Sequence, residues 1–131
     1  MVTVSSYIGH AHYETHITGQ NGAAIVADEP VERGGKNLGM TPGELLASSL
    51  ASCTCITLRM YADRKEWPLE RVDITVDVET DRTMNITHIG MNVLLTGPLD
   101  EAQKKRLMDI STKCPIHKLL ENPVHITTTS L

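Results

Sequence analysis

The sequence contains no phenylalanine, and aromatic residues make up only 3% of its 131 positions. Aliphatic side chains and methionines must therefore fill the interior that large rings fill in most proteins. The few aromatic residues do not alternate with lysines and arginines, as they do on surfaces that stack nucleic-acid bases. The formal net charge is −4, with no basic cluster to contact phosphates. Composition therefore predicts a protein that does not bind nucleic acid.

The sequence also lacks the usual signals for export or membrane insertion. Residues 1–13 contain no basic stretch followed by an apolar one, so no secretory signal is predicted. The uncharged run over residues 45–58 contains several serines and is too short to span a bilayer. We therefore expect a soluble protein of the cytoplasm. Its three cysteines are then more often free thiols, catalytic groups or metal ligands than structural disulfides.

The longest regular pattern in the sequence is a helix that begins at Pro42. Thr41 can cap it, proline fits the first helical position, and Glu44 at the third position completes a capping box. Residues 45–58 carry no charge on any face, which is typical of a buried helix. Pro68 prevents much continuation, so we predict about 23 residues, or roughly 35 Å.

The rest of the chain predicts short strands before this helix, and a hairpin and two shorter helices after it. The predicted strands are residues 2–8, 13–17, 24–27, 72–79, 89–95 and 124–128. The predicted helices run from an Asp100 cap to Lys113, and over Pro115–Glu121. This order predicts one domain, residues 1–131, with an α+β fold and a mainly antiparallel sheet.

The three thiols differ in their local chemistry. Cys53 lies in the middle of the long helix in apolar company, where it is either an inert buried residue or a nucleophile activated by a nearby cationic group. Cys55 lies two residues after Cys53 and about 200° around the helix from it, and we interpret it as a structural residue. Cys114 precedes a proline that starts a helix, and this position favours a thiolate.

A zinc site is one further interpretation of the same residues. Cys53, Cys55, Cys114 and His117 form a nominal three-cysteine, one-histidine set. The one-residue gap between the first two cysteines, however, places their side chains on different faces of a helix. We therefore predict no bound metal.

Two separate cysteine motifs resemble those of a known family. The first is Thr41-Pro42-Gly43-Glu44-Leu45-Leu46-Ala47 followed by Ala51-Ser52-Cys53-Thr54, and the second is Lys113-Cys114-Pro115-Ile116-His117-Lys118-Leu119-Leu120. With the run Asp28-Glu29-Pro30, they resemble the OsmC/Ohr family, the osmotically induced and organic-hydroperoxide-resistance proteins. The Tyr61-Ala62 end of the first helix is more similar to the OsmC-like branch.

The resemblance covers nearly the whole chain and implies a specific assembly. Members of this family form an intertwined α+β homodimer in which antiparallel sheets wrap around two long central helices. Their active sites form at the subunit interface. Such an arrangement would explain why the first helix has no charged face over residues 45–58.

The resemblance also implies a thiol-dependent peroxidase that reduces small organic hydroperoxides. Cys53 would be oxidised to a sulfenic acid, and Cys114 would resolve it as an intramolecular disulfide. A dithiol reductant, a lipoyl group in the best-known branch, would reopen that disulfide by exchange. The reaction requires neither a metal nor an organic cofactor.

Active family members orient the thiolate with an arginine from an N-terminal strand or loop and a glutamate ten residues before the cysteine. This chain has Gly43 at the glutamate position and Glu44 next to it, and its only arginine before the helix is Arg33. Glu44 and Arg33 are therefore the candidates for these roles, although Glu44 lies about 180° around the helix from Cys53. The alternative is a non-catalytic member that binds a small apolar ligand in the pocket at the dimer interface.

Overall fold

A computed structural model describes residues 1–131 of the protein. Its strands are β1 (Val4–Ile8), β2 (Thr15–Gly19), β3 (Ala24–Ala27), β4 (Arg71–Asp81) and β5 (Ile86–Thr96). Its helices are α1 (Pro42–Lys65), α2 (Glu101–Ser111) and α3 (Pro115–Glu121), with a short 3₁₀ helix at Val31–Arg33. The sheets are antiparallel, which confirms the predicted α+β class. The chain separates into two compact units, Met1–Leu46 and Ala47–Leu131, which are described in turn.

The first unit contains a three-stranded sheet in the order β1-β2-β3. Val4 of β1 pairs with Gly19 of β2, and Thr15 at the start of β2 pairs with Ala27 at the end of β3. The strands β2 and β3 are joined by a tight turn in which the Gly19 N–H donates to the Ala23 carbonyl at 2.8 Å. The last strand of this sheet ends at Ala27, directly before the buried Asp28.

Asp28 organises the loop that follows the sheet. Its carboxylate is 2% exposed and accepts four backbone N–H groups. Oδ1 accepts from Tyr13 at 3.1 Å and Glu29 at 2.7 Å, and Oδ2 accepts from Lys36 at 3.1 Å and Leu38 at 3.2 Å. Burial alone would raise the pKa of Asp28, but these four donors together hold it below its ordinary value. One side chain thus replaces the ladder hydrogen bonds that an irregular loop lacks.

Replacing Asp28 with asparagine is expected to lower the thermal unfolding midpoint by several degrees. The amide keeps one acceptor oxygen, while its NH₂ group faces two N–H donors that lose their partner. Because the pKa is lowered on folding, the carboxylate stabilises the protein above pH ~4 and this contribution is lost as the pH falls further. Circular dichroism melts at pH 7 and pH 3 should therefore show a smaller difference between variant and wild type at pH 3. The exposed Glu32→Gln is the matched control, and an equal melting temperature for Asp28→Asn at pH 7 would contradict the interpretation.

The second unit contains a hairpin and the hydrophobic core. Strands β4 and β5 pair from Arg71 opposite Thr96 to Asp81 opposite Ile86. Each strand is 11 residues long, so the hairpin is longer than the alternating pattern predicted. The ladder continues through polar residues such as Thr80 and Thr87, because backbone pairing does not depend on an apolar face.

The core of the second unit lies between α1, α2 and the segments that flank the hairpin. It consists of six buried aliphatic residues: Leu58, Ala62, Leu69, Leu99, Leu107 and Ile110. The start of α2 is held by the predicted capping box, in which the Gln103 N–H donates to Asp100 Oδ1 at 2.7 Å and the Asp100 N–H donates to Gln103 Oε1 at 3.0 Å. The cap sets where α2 begins and therefore which of its residues face the core.

The long helix α1 begins at Pro42 as predicted, and the Glu44 N–H donates to Thr41 Oγ1 at 3.2 Å. We expected α1 to be buried on all of its faces, and for a single copy of the chain this expectation is wrong. Its four buried residues, Leu50, Thr54, Leu58 and Ala62, form a single stripe at a spacing of four. By its length and composition alone, α1 is apolar enough to cross a membrane, a criterion that the core helix of a soluble protein also meets.

The prediction of a last strand at residues 124–128 is wrong. The structure contains no strand after α3, and Val124 and Ile126 are exposed. Their alternation with polar residues is typical of a strand, but a strand also requires a neighbouring backbone with which to exchange hydrogen bonds. No segment of the same chain pairs with this one.

Candidate active site

The structure brings the two motif cysteines together at the contact of α1 with α3. Pro115 disfavours the helical conformation for the residue before it, and Cys114 is extended, with φ −68° and ψ 150°. This confirms the prediction that Cys114 caps α3. Its sulfur accepts the His117 N–H at 3.3 Å. A local sequence rule therefore places the Cys114 thiol at the start of a helix, pointing toward free N–H groups.

Cys114 is completely buried, and hydrogen-bond donors surround its sulfur. Thr54 Oγ1 lies 3.5 Å from Cys114 Sγ and 2.9 Å from the Leu50 carbonyl oxygen. A hydroxyl has one proton, so these two acceptors compete for it, and an anionic sulfur competes better than a neutral one. The backbone N–H of Ile116 also lowers the pKa of this thiol.

Cys53 is half-buried. The Ile116 N–H and the Thr57 side chain oppose the effect of burial on the pKa of its thiol. Cys114 also shifts this pKa, so the two thiols lie near enough to interact.

The surroundings shift the two thiol pKa values in opposite directions. Burial raises the pKa of Cys53, and the adjacent Cys114 raises it further, against the opposing N–H of Ile116. Burial would also raise the pKa of Cys114, but the donors Thr54, His117, Cys53 and Ile116 outweigh it and lower the pKa below its ordinary value.

Cys55 has a different environment from the pair. Burial raises the pKa of Cys55, and the negative charge of Asp73 on β4 raises it further. The zinc interpretation needs Cys55 to converge with Cys53, Cys114 and His117. Among residues 1–131, no three histidine, cysteine, aspartate or glutamate side chains are grouped closely enough to hold a metal ion. The structure therefore gives the zinc interpretation no support.

A cavity of about 240 Å³ lies one helical turn from both thiols along their helices. Leu50 precedes Cys53 by three residues and His117 follows Cys114 by three, and both line the cavity. The remaining lining residues, from β5 and α3, are Thr87, Ile89, Met91, Leu120 and Glu121. A dry cavity of ~150 Å³ is large enough for benzene, so this one can hold a compact alkyl or aryl group.

His117 supplies the polar side of this cavity. Its Nε2 contacts the Glu121 carboxylate one turn along α3, and its Nδ1 is buried without a hydrogen-bond partner. With the Nε2 proton on the Glu121 side, Nδ1 is an acceptor that a hydroxyl group in the cavity could satisfy. From the sequence, His117 was a residue flanking Cys114 and a candidate zinc ligand, without this role in a cavity, and Thr54 was part of a motif without a role of its own. The signal for Thr54 was a hydroxyl group beside a cysteine in an otherwise apolar helix.

The other two predicted site residues lie in the first compact unit and have partners there. Arg33 is three-quarters exposed and forms an ion pair with Glu29 at 3.8 Å. Glu44 caps the start of α1, where its carboxylate accepts the Thr41 hydroxyl at 3.2 Å. The structure thus brings Cys53 and Cys114 together, while the catalytic roles of Arg33 and Glu44 stay predictions.

Known proteins are similar to the part of the chain that contains both cysteine motifs. The sequence model described as OsmC-like protein matches residues 34–129, which include both cysteine motifs. No curated protein sequence matches the chain.

Several solved structures share the fold. An osmotic stress and detoxification response protein of Psychrobacter arcticus is 23% identical, with 91% of this chain and 88% of that chain covered and a TM-score of 0.77. The organic hydroperoxide resistance protein OsmC of Legionella pneumophila is 22% identical, with 92% and 89% covered and a TM-score of 0.66. The organic hydroperoxide resistance protein OhrB of Bacillus subtilis is 21% identical, with 92% of this chain and 90% of that chain covered and a TM-score of 0.64.

Proposed function

Because the chain belongs to the OsmC-like protein family, we propose that it is a thiol-dependent peroxidase that reduces small organic hydroperoxides. The observation that carries this proposal is the proximity of the Cys53 and Cys114 thiols, each of which shifts the pKa of the other. Two neighbouring thiols can convert a sulfenic acid on one of them into a disulfide without a large movement of the backbone. Relatives described as organic hydroperoxide resistance proteins support the same class of substrate.

The difference in exposure supports different roles for the two thiols. Cys53 is half-buried and Cys114 is completely buried, so a hydroperoxide reaches Cys53 first. Cys53 is then the peroxidatic residue, and Cys114 the resolving one. A dithiol reductant, such as a lipoyl group, completes the cycle by thiol–disulfide exchange.

The cavity beside the thiols is the proposed site for the carbon part of the substrate. Leu50, Ile89 and Met91 offer an apolar wall, and His117 Nδ1 offers an acceptor for a hydroxyl or hydroperoxyl proton. Its volume of about 240 Å³ favours compact alkyl or aryl hydroperoxides over long chains.

The active form is proposed to be a cytoplasmic homodimer. Only one stripe of α1 is buried within the chain, and Ile56 and Met60 on this helix are 56% and 62% exposed. A second copy packed against α1 would remove these side chains from water. Sedimentation equilibrium should then give twice the chain mass of 14.4 kDa, whereas a monomer at micromolar concentration would contradict the dimer.

The decisive experiment measures the intact mass of the reduced protein after one equivalent of an alkyl hydroperoxide. The expected product weighs two hydrogens less than the reduced protein and contains a Cys53–Cys114 disulfide in its peptide map, because the sulfenic acid is resolved within the chain. Addition of a dithiol should restore the original mass. Cys55→Ser is the matched control, and it should form the same disulfide. An unchanged mass in the wild type would contradict the proposed function.

The non-catalytic alternative is supported by the same cavity, which could retain an apolar ligand. It predicts additional mass in the native mass spectrum of the purified protein and slow oxidation of all three thiols without preference. An empty cavity with rapid oxidation of Cys53 would exclude it.

A further inference from the structure

We propose that the cavity beside the thiols selects uncharged ligands that carry an O–H group and disfavours carboxylates. His117 binds the O–H group, and Glu121 repels an anion. This inference rests on the proposed function, because it specifies which hydroperoxides the site accepts. The same selection applies to the alcohol that each hydroperoxide leaves behind.

The first argument is the distribution of polar groups over the cavity wall. Leu50 is only 5% exposed and forms the deep part of the wall, whereas the Glu121 side chain is 69% exposed and lies at the rim. The hydroxyl of Thr87 already has a partner, because it lies 3.2 Å from the hydroxyl of Thr80. His117 Nδ1 is thus the buried polar atom of this wall that has no hydrogen-bond partner.

The second argument is the orientation of the His117 ring. Nε2 contacts the Glu121 carboxylate, which accepts its hydrogen and leaves Nδ1 as an acceptor. A buried acceptor without a partner is unfavourable, and a ligand that donates an O–H hydrogen removes this cost. An ether or a carboxylate has no hydrogen to donate. The ring belongs to the residue whose backbone N–H donates to Cys114 Sγ at 3.3 Å, so an O–H group bound to it lies near the reacting thiols.

The third argument is the charge of the wall. The cavity is lined by one glutamate, Glu121, and by no lysine or arginine. A carboxylate at the rim repels a second carboxylate a few ångströms away, and apolar walls weaken the screening by water. A hydroperoxide that carries a carboxylate is therefore disfavoured relative to an uncharged one of similar size.

Three benzene derivatives of nearly equal size test both parts without any reaction at the thiols. Benzyl alcohol carries an O–H group, its isomer anisole is an ether without one, and benzoate is an anion. Their dissociation constants are measured at pH 8 from the shift of the Met91 methyl NMR signal, because Met91 lines the cavity, while Met108 does not and is the reference. We expect benzyl alcohol to bind about fivefold more tightly than anisole and at least about tenfold more tightly than benzoate.

Substitutions of His117 test its hydrogen bond with the ligand. His117→Leu removes the acceptor and keeps an apolar side chain, while His117→Asn keeps an acceptor oxygen at the position of Nδ1. The preference for benzyl alcohol over anisole should disappear in the leucine variant and persist in the asparagine variant. Circular dichroism checks that both variants are folded. Equal affinities for the two ligands in the wild type, or a preference that survives in folded His117→Leu, would overturn the role of His117.

Substitution of Glu121 tests the exclusion of anions. Glu121→Gln removes the charge and keeps an acceptor for the Nε2 hydrogen, so the affinity for benzoate should rise about fivefold. Glu101→Gln on α2 is the matched control, because its side chain is 94% exposed and does not line the cavity. An affinity for benzoate that Glu121→Gln leaves unchanged would contradict the exclusion of anions.

Binding of none of the three ligands would overturn the whole inference. It would leave the proposed function intact, because these ligands contain no peroxide. The proposed function fails instead if an alkyl hydroperoxide forms no disulfide between Cys53 and Cys114 in the wild type. The two failures are therefore measured separately, one by NMR titration and the other by intact mass.

Discussion

Replacing Cys53 with serine is expected to lower hydroperoxide turnover about 10³-fold or more, which is the scale of loss when a nucleophile is removed. The serine hydroxyl does not ionise near neutral pH and oxygen is a poorer nucleophile than sulfur toward peroxide oxygen. Cys114 cannot substitute for it, because its sulfur is completely buried. Steady-state peroxide consumption with excess dithiol measures the loss.

The same assay distinguishes the two motif cysteines from each other. A Cys114→Ser protein still forms the Cys53 sulfenic acid, which excess dithiol can reduce directly, so its turnover should fall less than that of Cys53→Ser. Cys55→Ser is the control for substitution of a thiol in α1 and should retain wild-type turnover. A Cys53→Ser protein that keeps more than a tenth of the activity would show that the nucleophile lies elsewhere.

Replacing Leu107 with alanine is expected to lower the free energy of unfolding by ~2–5 kcal/mol. Leu107 is completely buried on α2, where it belongs to the core cluster with Leu58, Leu99 and Ile110. The substitution removes apolar area and leaves a cavity that the surrounding helices fill only in part. A loss of this size is a large fraction of the stability of a typical domain.

Urea unfolding, measured at one fixed protein concentration, gives this difference directly. Trp67 packs against the core cluster and supplies a fluorescence signal for the transition. Met108→Ala is the matched control, because Met108 is the next residue on α2 and its side chain is 43% exposed. Equal losses for Leu107→Ala and Met108→Ala would contradict the proposed core.

Helix boundaries were predictable because their signals are local. Proline at position 42 and the Asp100–Gln103 pair mark the starts of α1 and α2, and Pro115 marks the start of α3. Each signal acts through a hydrogen bond or a steric restriction within about four residues. Such features are contained in the sequence and do not depend on the rest of the fold.

Strand ends were less predictable because a strand is defined by its partner. The hairpin of β4 and β5 extends beyond its alternating residues, whereas the alternating residues 124–128 form no strand. The burial of α1 depends in the same way on what packs against it. Periodicity describes which face could be buried, and only tertiary contacts decide whether it is.

The sequence by itself determined the candidate residues for the chemistry, since both cysteine motifs and the cap at Cys114 can be read from their neighbours. Only the tertiary structure decided which groups surround the two thiols. Thr54 reaches the Cys114 sulfur across 60 residues of chain, and the donors that set the two pKa values come from different helices. A pKa depends on every group within a few ångströms, and folding chooses those groups.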